Sequence, residues 1–254
     1  MMRKYFALFF IALFILGLTA PACVGISSAR QLTVAIDANY PPFERLNEKT
    51  GQPEGFSVDL MNAVAEKAGL DIRWVVVDFD KLLTGVSSCQ YDMACSSISI
   101  TEERKKSMLF SDPIGSGGQV VVVRKDNSDI HSKDDLTGRT VAAQVAATGA
   151  MEAAKLQGVN LKTYATIALV FKNLMDGQCD AVIADNYVAA FFTAKYPDKL
   201  KVVGPVFTDE SDGIAICNKN AELLPKINAA LKALRDDGTI DKLRSKWTAG
   251  LSSP

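Results

Sequence analysis

Residues 85–97 (GVSSCQYDMACSS) and 174–186 (LMDGQCDAVIADN) follow one plan. Each runs from a helix end through a polar turn to an Asp, then an apolar strand, then polar residues where the strand stops. Strands and helices alternate around both copies. In the first half, Leu32 to Ile36 reads as a strand ending at Asp37, and Ile72 to Val77 and Met93 to Ser97 as further strands. Ser57 to Ala68 has helical apolar spacing and stops at Gly69, a C-cap residue, while Leu82 to Val86 opens a short helix. The second half repeats this with strands at Thr140 to Gln144, Leu161 to Tyr164 and Ala181 to Ala184, and helices at Thr148 to Leu156 and Leu169 to Met175. Such alternation builds mostly parallel sheets covered by helices on both faces. Two equivalent halves then predict an α/β chain with two lobes.

Two segments could carry the chain between lobes. Pro113-Ile114-Gly115-Ser116-Gly117-Gly118 precedes the strand Gln119 to Val123, and Pro205 to Gly213 precedes Ile214-Ala215-Ile216. The tail from Leu223 to Trp247 is helical in spacing with a break at Gly238. Joined to the N-terminal half, it sets both crossings side by side. The expected division is lobe 1 over 30–113 plus 214–254, lobe 2 over 119–208, and a hinge at 114–118 and 209–213.

The first 29 residues stand apart from this pattern. A basic start (Met1-Met2-Arg3-Lys4) leads into an unbroken apolar run from Tyr5 to Leu18. Ala20-Pro21-Ala22 and Ser27-Ser28-Ala29 offer small-residue cleavage sites, so this is the layout of a secretory signal peptide cut after Ala22 or Ala29. A retained membrane anchor is the alternative. Cys23, directly after Ala22, leaves a lipid anchor open, although a Leu usual in lipoprotein signals is absent from Ala20-Pro21-Ala22. Export permits oxidation, and Cys89, Cys95, Cys179 and Cys217 allow three pairings that the sequence does not choose between. No Cys-x-x-Cys exists and His131 is the sole histidine, so neither a metal, nor a cofactor, nor Cys-His catalysis is expected. A net charge of −1 gives no electrostatic reason for nucleic-acid binding.

Residues 91–106, YDMACSSISITEERKK, carry the chemistry. An apolar run ends in Ser96, Ser97 and Ser99, and Thr101 then caps a helix whose first turn holds Glu102, Glu103 and Arg104. By itself this is an ordinary helix start, with acids favoured by the helix dipole. It also gathers hydroxyls and a guanidinium, a planar two-pronged donor suited to a carboxylate. Ligands of open α/β sheets bind beyond the carboxyl ends of strands, and Asp37, Ser97, Thr148 and Asp185 all fall there.

The chain resembles the periplasmic amino-acid-binding proteins of ABC importers, the polar amino-acid family of solute-binding proteins. The matching stretches are DANYPPFE (37–44), GFSVDLMNAVAEKAG (55–69), YDMACSSISITEERKK (91–106), FSDP (110–113), ADN (184–186) and DDGTIDKLRSKW (236–247). The resemblance implies a periplasmic-binding-protein type II fold, two hinged lobes that close on a free amino acid, a membrane permease as partner and a monomeric carrier. It implies that Arg104 grips the α-carboxylate with help from main-chain N–H groups beside Thr148. Asp185 corresponds to the acceptor of the α-ammonium, aided by Ser97 and Ser99. Tyr40 and Phe79 correspond to residues enclosing the side chain, Asp37 to one meeting a polar or cationic tip, and Gln144 to a position that varies with specificity. Two departures alter the expected site: Ala146-Ala147-Thr148-Gly149 replaces a usual GTTG, and Ile114-Gly115 replaces a usual Tyr pair. Cyclohexadienyl dehydratases share the scaffold and place a catalytic Glu three residues beyond the equivalent of Asp185, where this chain has Val188. A ligand-sensing receptor component is the remaining alternative.

Overall fold

Runs of β-branched residues, too apolar for any solvated face, form the centres of two sheets. The computed structural model describes residues 30–251. The leader, its cleavage after Ala22 or Ala29 and the question of Cys23 lie outside the described residues. The first five-stranded sheet has the order Ile72–Val76, Leu32–Ile36, Met93–Ala94, Ala215–Ile216, Leu109–Phe110. The second has the order Asn160–Tyr164, Thr140–Gln144, Ala181–Asp185, Gln119–Arg124, Leu200–Val203. Val120 to Val123 are at most 1% exposed, the mark of a strand covered on both faces.

In each sheet four strands point one way and one runs against its neighbours. The odd strand is Ala215–Ile216 in the first sheet and Gln119–Arg124 in the second. Both follow immediately on a short crossing strand. Gly115–Gly117 carries the chain out of the first sheet, and Glu210–Asp212 carries it back, and the two pair antiparallel. A Cβ at Gly118, where the outgoing crossing enters the second sheet, would lie 2.1 Å from the carbonyl oxygen of Thr208, so only glycine fits there.

The tail returns to the first sheet. Helices Leu223–Asp236 and Thr239–Thr248 flank Gly238, which is left-handed. Arg235 donates to the Pro113 carbonyl at 2.8 Å, Arg244 to that of Ile114 at 2.7 Å, and Lys246 and Trp247 both reach Asp59. Cys89 and Cys217 form the disulfide, and Cys95 and Cys179 are buried free thiols.

Several elements differ from the sequence expectation. The strand expected to reach Ser97 stops at Ala94, because Ser97 takes a left-handed φ of 43° and turns the chain. The helix after Thr101 is one turn, Glu102–Lys105. A helix, Asn186–Lys195, follows Asp185, and Leu200–Val203 adds an edge strand. No helix among the described residues is long and apolar enough to cross a membrane.

Candidate ligand-binding site

Around the left-handed turn at Ser97, three hydroxyls take three different partners. Ser96 accepts the Asp37 N–H at 3.0 Å, Ser97 donates to Glu44 at 3.2 Å, and Ser99 lies 3.3 Å from the Thr148 hydroxyl. Thr101 accepts the Arg104 main-chain N–H at 3.1 Å and so caps the turn that carries Arg104. Arg104 is 5% exposed. It donates to the carbonyls of Ser99 at 2.7 Å and Ala146 at 2.9 Å, and its Nε finds no acceptor among the described residues. The Phe79 ring lies under the guanidinium, 5.5 Å from centroid to Cζ.

On the opposite wall, the Ala181–Asp185 strand ends in the second carboxylate of interest. Asp185 accepts from the Tyr40 hydroxyl and from the Gln119 amide. Burial, then the charge of Glu210, raises its carboxyl to about 6, while the Tyr40 and Gln119 hydrogen bonds and Arg104 pull the other way. Thr148 begins the helix Thr148–Lys155, and Ala146 two residues before takes a left-handed φ of 61°. Glycine fits that conformation without strain; the alanine here adopts it against its Cβ.

One cavity of about 260 Å³ is lined by Tyr40, Phe79, Ser97, Ser99, Arg104, Gln144, Thr148 and Asp185, with Ser96 and Ala147. The structure thus brings together eight of the nine residues singled out from sequence. Asp37 is the exception. It is 1% exposed and its carboxylate accepts from Gln144 at 2.7 Å, so Gln144 stands between it and the cavity. Burial raises the Asp37 carboxyl.

Four contacts cross between the lobes here: Tyr40 to Asp185, Ser99 to Thr148, Arg104 to the Ala146 carbonyl, and Gln144 to Asp37. The lobes are closed on one another. A second cavity of about 480 Å³ adjoins on the crossing-strand side, shares Ser97 and Asp185, and adds Glu210, Asp212 and Arg244. Burial and the neighbouring Asp185 and Glu210 raise the Asp212 carboxyl to about 7. Glu44, fully buried against Ser57 and Ser97, is also raised, by burial. These acids and Gln119 were not read as site residues. Glu44 lay within the matched stretch DANYPPFE, but Gln119, Glu210 and Asp212 reach the site only through antiparallel pairings. Among the described residues no cluster of His, Cys, Asp and Glu could hold a metal ion.

The arrangement offers a cationic donor and an anionic acceptor on facing walls of one closed cavity. The sequence profile of the bacterial extracellular solute-binding proteins, family 3, matches residues 32–250. The chain belongs to that family. It is similar to a probable histidine-binding protein of Neisseria gonorrhoeae, 35% identical over 85% of this chain and 82% of that one. Among solved structures it is similar to ArtJ, an arginine-, lysine-, histidine-binding protein from Geobacillus stearothermophilus. The TM-score is 0.82 at 35% identity, covering 88% of this chain and 97% of that one. It is also similar to an ancestral amino acid-binding protein described as a precursor of cyclohexadienyl dehydratase, with a TM-score of 0.78 at 36% identity over 86% and 95%.

Proposed function

We propose that this family member captures a free L-amino acid outside the cytoplasm and delivers it to the membrane permease of an ABC importer. The observation that carries the reading is the pairing of a buried Arg104, with one N–H unsatisfied, against a half-buried Asp185 across a single cavity. A free α-amino acid matches both: its carboxylate takes the guanidinium, Thr148 and the helix start, and its ammonium takes Asp185 and Ser97. Tyr40 and Phe79 enclose the side chain. Gln144, backed by the Asp37 carboxylate, favours a polar or basic tip, in keeping with the histidine, arginine and lysine named for the relatives.

The crossing strands act as the hinge. Closure removes water from both charge pairings and strengthens them, so the ligand shifts the lobes from open to closed. The protein is a carrier rather than an enzyme. The position that would hold a dehydratase's general acid is Val188, which is fully buried and cannot titrate. A thermal-shift screen of ligand-stripped protein against the common L-amino acids tests the reading. A ligand at 1,000 times its dissociation constant adds about 4 kcal/mol of stability. A clear rise with basic or polar amino acids is expected, and no rise with any of them would overturn the assignment.

A further inference from the structure

Gln119 is buried to 1% at the start of the Gln119–Arg124 strand, and in the antiparallel register it faces Asp185 directly. Its side-chain amide has two hydrogens to give. One goes to Asp185 Oδ1 and the other to Thr148 Oγ1 at 3.1 Å. Both donors are therefore spent on the two groups that, on the functional reading above, serve opposite ends of the ligand. The main chain of Gln119 is tied to the returning crossing: its N–H donates to the Thr208 hydroxyl at 2.7 Å, and its carbonyl accepts from Phe207 at 3.0 Å. Thr208 in turn donates to Glu210 at 2.8 Å. The side chain has little freedom to leave. A Cβ on Gly149 would lie 2.9 Å from Gln119 Oε1, so the glycine provides the room this amide fills.

We infer that Gln119 is a positioning residue that sets the polarity of both ends of the amino-acid site. Donating to Asp185 favours its ionised form, the form that accepts an ammonium. Donating to Thr148 makes that hydroxyl an acceptor on its inner side. Its own hydrogen is then left for Ser99 or for a carboxylate. One amide thereby presents an acceptor at one end and a donor at the other, and its backbone anchors both to the crossing strands. The inference rests on the functional reading, because it assigns no role to Gln119 unless an amino acid occupies the cavity.

The test is calorimetric titration of the ligand-stripped protein with L-arginine and L-histidine between pH 5 and 9, for wild type, Gln119→Leu and Gln119→Glu. Asp185 is faced by Tyr40, Glu210, Asp212 and Arg104, all unchanged in the variants. Wild-type affinity is expected to fall as pH drops through about 6, where Asp185 takes up a proton. Gln119→Leu should lose about tenfold in affinity at pH 8, the usual scale for a hydrogen bond to a charged group, and its fall should begin at higher pH. Gln119→Glu, nearly isosteric, adds a carboxyl beside Asp185 and should move the fall upward as well. Affinity lost equally at every pH, with the wild-type midpoint kept, would mean a merely structural role and overturn the inference, as would unchanged affinity. Those results leave the functional reading standing if wild type binds. Failure of wild type to bind either amino acid would overturn the inference as tested here, while the functional reading would fall only if no common L-amino acid binds.

Discussion

At the level of single residues, the stretch around Arg104 reads as a helix cap and, on the proposed function, as a ligand contact. Thr101 holds the Arg104 main-chain N–H, and the guanidinium is held by the Ser99 and Ala146 carbonyls. Residue type and a place beyond a strand end mark Asp185 and Thr148, while Arg104 stands out only through the family resemblance; all three line one cavity. Gln119 does not stand out, because a Gln ahead of four valines reads as a strand boundary, and its facing Asp185 depends on a register that local sequence does not encode. Asp37 is the opposite case: its sequence position was read, but Gln144 intervenes. An anion one hydrogen bond away still favours a cation, so Asp37→Asn should weaken L-arginine several-fold while hardly affecting L-glutamine. Equal losses for the two in side-by-side titrations would remove the electrostatic role.

At the level of elements, periodicity located most strands and helices to within two or three residues. The misses have physical causes. Ser97 turns left-handed and ends its strand early, and the Asn186–Lys195 helix is apolar on most sides, which hides its amphipathic signal. Cysteine pairing was open in the sequence because all four thiols sit near strand or helix ends. The bridge joins the turn after the Phe79–Ser87 helix to the residue after the Ala215–Ile216 strand, and the span between these cysteines, 128 apart in sequence, includes the whole second sheet. It therefore clamps the first sheet across the excursion. Replacing both cysteines with serine should cost up to about 4–5 kcal/mol, the loop-closure scale for so long a span. Neither cysteine lines the ligand cavity, so affinity should be kept. An unchanged urea midpoint would contradict this.

For the whole molecule, duplicated strand–helix units implied two lobes, and the two sheets carry the same arrangement of four aligned strands and one reversed. What the sequence could not supply was how the lobes meet. Tyr40 to Asp185, Ser99 to Thr148 and Gln144 to Asp37 are separated by 145, 49 and 107 residues, and only closure joins them. On the proposed function, closure clamps an amino acid between Arg104 and Asp185. Calorimetric titration of ligand-stripped wild type, Arg104→Ala and Asp185→Asn with L-arginine tests it most directly. Each variant should lose about a hundredfold in affinity, near 3 kcal/mol, as expected when one partner of a buried charge pair is removed. Wild-type affinity in either variant would contradict the account.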